Sequence, residues 1–291
     1  MSYRFRKKET LADGFRRILN EQTAAIVSAL ADGAEDPGNR IHDARKRLKR
    51  QRALLKLVAS LMDEDVVARE EHVFQAVSRK LGAARDADVA LETFEGLAWE
   101  LVGPVDQVRA LLTTGVQRQR KRGLSADKLG LLAGTIRKSS HILTEEKLLE
   151  GGLETVFPAM LKDYEKARKL RGVKTDDPVK LHDLRKLAKR LMYQLTLLRK
   201  MIPNSLAKLL PKYSRFTELL GNHQDLQVLK DILAEHAHGI QIARLPMLDA
   251  AIHASMKTRI KKARRLSREI FDTRPKGFAK LLRSNLKSWD S

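Results

Sequence analysis

The residues most able to do chemistry sit in two short blocks of the same design. RIHDARKRLKR at 40–50 and KLHDLRKLAKR at 180–190 align His42 with His182, Asp43 with Asp183, and Arg45-Lys46 with Arg185-Lys186. The same register pairs Lys49-Arg50 with Lys189-Arg190. Guanidinium groups fork onto the oxygens of phosphate or carboxylate, and ammonium groups act as mobile point charges. An imidazole beside them can donate, accept or carry a proton near neutral pH. The chemistry on offer is therefore capture of an anion.

Spacing turns each block into a one-sided stripe. At about 100° per helical residue, Arg45, Lys46 and Lys49 fall within roughly 60° of His42, and Arg52 within about 80°. Ala44, Leu48, Leu55 and Val58 take the opposite side. The second block repeats this, with His182, Arg185, Lys186 and Lys189 on one face and Leu184, Leu187, Leu191, Leu195 and Leu198 on the other. Asp43 and Asp183 are the only acids in the stripes, so the cations repel one another at i,i+3 and i,i+4. They also begin in the first helical turns, where the macrodipole already disfavours positive charge. A bound anion relieves both conflicts, and the backbone N–H groups of a helix N-terminus add to its attraction.

A second matched block follows each stripe. LGAARDADV at 81–89 and LGNHQDLQV at 220–228 pair Leu81-Gly82 with Leu220-Gly221, Asp86 with Asp225 and Val89 with Val228. Two matched blocks in the same order, both about 140 residues apart, mark an internal repeat. Asp86 and Asp225 are read as orienting a cation or capping a turn, and the glycines as permitting a bend or close helix contact. Further cations gather in RQRKR at 118–122 and along 257–268, a stretch without an acid. Arg118, Arg122, Arg259 and Lys262 join the candidate surface from these stretches.

These residues need helices to present them. Apolar residues recur at helical spacing through nearly the whole chain, and no segment alternates in strand fashion. Pro37, Pro104, Pro178, Pro203 and Pro246 separate the periodic runs, and Asp177-Pro178 has the form of an N-cap followed by proline at the first helical position. Helices are expected near 9–31, 39–61, 64–101, 104–122, 126–149, 153–171, 178–201, 204–237 and 246–285. The fold class is all-α. The repeat divides the chain into halves 1–150 and 151–291, meeting near 139–152, each expected to be roughly a four-helix bundle.

Composition narrows the function classes. The 291 residues hold 57 Lys+Arg against 36 Asp+Glu, a formal net charge of +21. With 43% hydrophobic residues the chain can build a core, which argues against wholesale disorder. The absence of cysteine excludes disulfides, thiolate nucleophiles and Cys-based metal sites and fits a reducing compartment. No apolar stretch approaches a membrane span. The basic first residues lack the apolar core and cleavage site of a secretory signal, so a cytoplasmic location is expected.

The paired HDxRKxxKR and LGxxxDxxV blocks resemble the CHAD domain, the conserved-histidine α-helical domain, over about 10–285. The resemblance implies two pseudo-symmetric four-helix bundles with a basic channel or groove between them that binds inorganic polyphosphate. Matched residue by residue, it implies that His42, Arg45, Lys46, Lys49, Arg50 and Arg52 line this surface with His182, Arg185, Lys186, Lys189 and Arg190. Arg85 fits the Arg-Asp pair of the second block, whereas the matching position is Gln224. Met192 stands where the first half has Arg52. Polyphosphate granules are the implied location.

Two other classes compete. His42-Asp43 and His182-Asp183 look like the metal-binding dipeptide of phosphohydrolases, but that chemistry needs more His and Asp ligands, and the cations that follow would repel a divalent metal. The remaining histidines show no ligand spacing, His236 and His238 being the nearest to a pair. No H-E-x-x-H, G-x-S-x-G or phosphate-loop motif occurs. The expectation is a non-enzyme with no catalytic residue, metal or cofactor. A charge of +21 also binds nucleic acid nonspecifically at low salt by counterion release. Yet no helix-turn-helix signature or aromatic stacking platform is visible. Polyphosphate is the expected partner, with no membrane; protein partners are not legible.

Overall fold

A computed structural model describes residues 3–31, 37–83, 85–98, 105–122, 124–171, 177–235 and 245–284. Among these the regular structure is all helical. The order is α1 (Leu11–Ala31), α2 (Pro37–Val58), α3 (Glu64–Ala83), α4 (Asp86–Ala98), α5 (Val105–Arg122) and α6 (Ala126–Glu145). Then follow α7 (Phe157–Leu170), α8 (Pro178–Leu197), α9 (Asn204–Ala207), α10 (Leu210–Glu235), α11 (Leu245–Ile270) and α12 (Pro275–Arg283). Short 3-10 turns at Ala59–Leu61 and Leu153–Val156 trim α2 and precede α7. Pro104, His236 and His238 lie outside the described residues.

Local chemistry sets several boundaries. Asp177 caps α8 by accepting the backbone N–H groups of Val179 (3.0 Å) and Lys180 (3.2 Å), with Pro178 at the first helical position. The long helix expected over 64–101 is two helices. Arg85 N–H donates to Gly82 O at 2.8 Å, and Gln119 of α5 bridges the break by accepting from Ala87 N–H (2.8 Å) and donating to Ala83 O. One long-range side chain thus replaces the backbone bonds that a continuous helix would have made. The expected helix over 246–285 is also broken. Pro275 lacks the N–H to continue the ladder, and Arg274 before it is extended (φ −64°, ψ 151°), so α11 ends and α12 begins anew. In 204–237, the single turn α9 precedes the long α10.

Helices α1, α2, α3 and α6 pack as a ring, α2 and α6 each touching both α1 and α3. Helix α7 packs on α8 and α12, α8 on α10, and α10 on α11. Two further contacts matter for function: α2 lies against α8, and the α4–α5 pair rests on α10 through α4. A principal core joins both sequence halves, from Phe15, Leu48 and Phe74 to Leu191, Tyr213 and Phe271. A second core is built from Phe94 and Leu112 of α4–α5 with Leu226, Leu229 and Ile252 of α10–α11. Continuous α10 serves both cores, a task shared by α3 and α4 in the first half.

Buried polar bonds fix α2 in rotation. Gln51 Nε2 donates to Thr23 Oγ1 of α1 at 2.7 Å, and the Thr23 hydroxyl donates to Ser140 Oγ of α6 at 2.7 Å. Such a bond contributes about 0.5–1.5 kcal/mol net, but breaking one strands a buried polar group at greater cost. With Leu48, Leu54 and Leu55 fully buried beside it, α2 has one face committed to the core and its cationic face turned away.

Candidate anion-binding site

The cationic faces of α2 and α8 converge. The helices touch where Gln194 Nε2 reaches Ala53 O at 3.5 Å, and the charged residues precede this contact on each helix. Lys49 stands near Arg45 of its own helix and near Arg185 and Lys189 of α8. Its side chain is exposed, yet the protein packed around it strips part of the water from the ammonium. That desolvation, followed by repulsion from the three cations, pushes its pKa down to about 8. Lys189 is lowered first by burial and then by Arg185, Lys46 and Arg50. Burial also lowers Arg45 and Arg185, against the opposing pull of Asp86 and Asp225 respectively.

Asp225 is the carboxylate set deepest among these cations. Burial raises its pKa even though Arg185, Arg85, Lys49 and Arg45 all pull it down. It faces guanidinium groups from both halves, which fits the orienting role read from the sequence. The paired glycines have a specific use. A Cβ on Gly82 would lie 3.6 Å from Arg45 Nη2, and one on Gly221 would lie 3.0 Å from Arg185 Nη2. In each half the guanidinium rests on bare helix backbone, and only at Gly221 would a side chain crowd it.

The histidines differ. His42 Nδ1 meets the guanidinium of Arg85, which can only donate, so Nδ1 accepts and the neutral ring carries its proton on Nε2. Burial, then Arg85, Lys49, Lys46 and Arg45, lowers the His42 pKa and favours this neutral form. Arg85 also pairs with Glu92 at 3.1 Å. His182 Nδ1 instead faces Gln224 Oε1 at 3.3 Å, an acceptor, so its proton sits on Nδ1. A cavity of about 370 Å³ opens beside His42 and Arg85, with Asp225 and Arg259 on its wall.

Two aromatic rings complete the cluster and were not legible in the sequence. Arg50 lies over the Tyr3 ring and Lys189 over the Tyr193 ring, each 5.3 Å from the centroid. The rings meet edge to face at 6.1 Å, and the Tyr3 hydroxyl donates to Arg50 O at 2.8 Å. A ring face attracts a cation without cancelling its charge. Tyr3 and Tyr193 are 190 positions apart and belong to no motif, so only the fold brings them together.

Other candidate residues have different surroundings. Arg190 donates to both oxygens of Asp163 at 2.9 Å. Arg52 approaches Glu71 at 3.8 Å, while Lys56 takes the other Glu71 oxygen at 2.5 Å. Lys186 pairs with Asp183 at 3.0 Å. Arg118 lines a separate cavity of about 410 Å³ beside Ala87, Leu111 and Ile232. Arg122 ends α5, and its side chain lies outside the described residues. Lys262 is exposed on α11. The fold thus gathers His42, Arg45, Lys46, Lys49, Arg50, Arg85, Arg185, Lys189 and Arg259, and ties Arg52 and Arg190 to carboxylates. Among the described residues no group of three or more His, Asp or Glu side chains is placed to hold a metal ion, and no helix is long and apolar enough to cross a membrane.

The chain belongs to the CHAD domain family, whose model matches residues 15–234. Its fold is similar to the crystal structure of the CHAD domain from the plant Ricinus communis (TM-score 0.60, 20% identity, covering 98% of this chain and 94% of that one). It is also similar to PptA from Streptomyces chartreusis (TM-score 0.57, 18% identity, covering 90% of this chain and 97% of that one). No curated protein matches the sequence.

Proposed function

We propose that the chain binds inorganic polyphosphate, without catalysis, in a groove lined by the facing stripes of α2 and α8. In this reading the sequence halves form pseudo-symmetric bundles, and each contributes one wall. The observation that carries the reading is the convergence of Arg45 and Lys49 with Arg185 and Lys189, whose repulsion adds to desolvation in lowering the Lys49 pKa to about 8. Cations kept at this cost to the fold need an anion with several closely spaced charges. Successive residues at helical steps of three or four stand about 5–6 Å apart, which suits a chain of phosphates. Binding releases counterions, so affinity falls steeply with salt and grows with chain length until the groove is filled. Polyphosphate granules are the place where such a chain would act, checked by co-localisation of the tagged protein with stained polyphosphate.

The test is a titration with long-chain polyphosphate near physiological salt, with duplex DNA as competitor, for wild type and for Lys49→Glu/Lys189→Glu with its helicity verified. The reading requires tight binding that DNA does not displace and that the folded variant loses. Equal preference for DNA, or an unaffected variant, would mean that net charge alone does the binding.

A further inference from the structure

Helix α11 carries its cations on two sides. Arg259 points to the cavity shared with His42 and Arg85. Lys257, Lys261, Arg264, Arg265 and Arg268 lie about 120–180° around the helix from Arg259, at about 100° per residue. They line a second groove of about 1340 Å³ between α10, α11 and the first turn of α8. The two openings use different faces of α10: Asn222, Asp225 and Leu226 border the first, His223 and Gln227 the second. One carboxylate stands at the rim of the outer groove, Glu269, and it is engaged by Lys212 (2.7 Å) and Arg265 (3.6 Å). The cations span residues 257–268, about 16 Å of helix. Pro178, in the opening turn of α8, lines this groove, and His182 is one turn further along the same helix.

We propose that this outer groove is a second polyanion site that takes a further segment of the same polyphosphate chain, passing from the α2–α8 cluster around the N-terminal turn of α8. This inference rests on the polyphosphate reading above. A chain long enough to reach both sites binds the second one intramolecularly, at a high effective concentration. A short chain occupies the α2–α8 cluster alone. Length dependence thus has two stages: filling of the first site, then a gain when the chain reaches the second.

The experiment compares tripolyphosphate with long-chain polyphosphate at fixed salt for wild type, Lys257→Glu/Lys261→Glu, and a control reversal of equal charge on α7, Lys166→Glu/Lys169→Glu. All four lysines are exposed, so folding is expected to survive. The outer-groove variant should keep tripolyphosphate affinity within about twofold and lose about tenfold or more for the long chain, with a shallower salt dependence. The control should lose no more than about threefold for either. Long-chain affinity equal to that of the control, or equal losses for both chain lengths, would overturn the second site while leaving the α2–α8 reading standing. Wild type that binds neither chain, or prefers DNA, would remove both.

Discussion

The stripes on α2 and α8 carry nearly the same residues in different surroundings. In the first, His42 accepts from Arg85, and Arg50 lies over Tyr3. In the second, His182 donates to neutral Gln224, and Arg190 is held by Asp163. Only the first half has an extra guanidinium behind its histidine. Helix continuity differs in the same place: α3 and α4 break at Arg85, whereas α10 runs through Gln224 unbroken. The break lets Arg85 bond Gly82 O through its backbone while its side chain faces His42. A repeated motif therefore supplies the common cations, and the local backbone adds one more in the first half, Arg85, which His42 and Glu92 share. On this account the α2 wall is the stronger one.

The largest expected effect comes from exchanging that difference. Arg85→Gln, which gives the first half the second half's residue, should weaken polyphosphate binding about tenfold, the scale of one charge-assisted contact. Gln224→Arg should strengthen it several-fold. Equal and small changes in both, measured by titration at one salt concentration, would show that the walls do not differ in this respect.

Next is the balance between function and stability. Lys49→Met removes the most strained ammonium, so thermal unfolding near pH 7 should occur at higher temperature while polyphosphate affinity falls. Solvent screening of this exposed group limits the gain to about 1 kcal/mol, or about 2–4 °C. The sign follows from the depressed pKa. The folded protein disfavours the charged form, so the wild type gains stability as pH rises from about 8 toward the ordinary lysine value, and the variant does not. On the proposed reading, bound polyphosphate should reverse the shift, so binding should take up protons and affinity should drop as pH rises past about 8.

His42 gives a smaller effect at the acid end. Its pKa is depressed in the free protein, and a bound polyanion raises it, so affinity increases as pH falls through the range below the ordinary histidine value. His42→Gln should flatten that increase in titrations between pH 7 and pH 5.5. Retention of the full increase would assign it to other groups.

The smallest effect separates the glycines. Gly221→Ala crowds Arg185 and should weaken binding about two- to threefold, whereas Gly82→Ala meets Arg45 at ordinary contact distance. The latter should leave binding intact and stabilise the helix by about 0.5–1 kcal/mol. Thermal melts and titrations of the two variants check the contrast.

The stripes were legible because a 3.6-residue period fixes which side chains share a face, and Leu48 and Leu191 are buried where that period puts them. Family membership was legible from the order and spacing of the paired blocks, although the block at 81–89 spans the end of α3 and the start of α4. The break between α3 and α4 was not legible, because it depends on Gln119 from another helix rather than on a local proline or capping residue. Nor were the carboxylate partners of Arg52 and Arg190, since Glu71 and Asp163 lie on helices whose packing the periodicity does not specify. The two sides of α11 were merged in the sequence because a run of cations without acids shows charge but not what each side of the helix faces.

The central claim is that α2 and α8 make one site rather than two. A double-mutant cycle with Lys49→Met, Lys189→Met and the double variant, titrated with long-chain polyphosphate at one pH and salt, tests it most directly. Removing either lysine relieves repulsion on the other, which then binds better. The account therefore predicts that the double variant loses at least about threefold more affinity than the product of the single losses, a coupling on the scale seen for residues in one network. Losses that multiply independently would place the two lysines at separate sites and contradict the account.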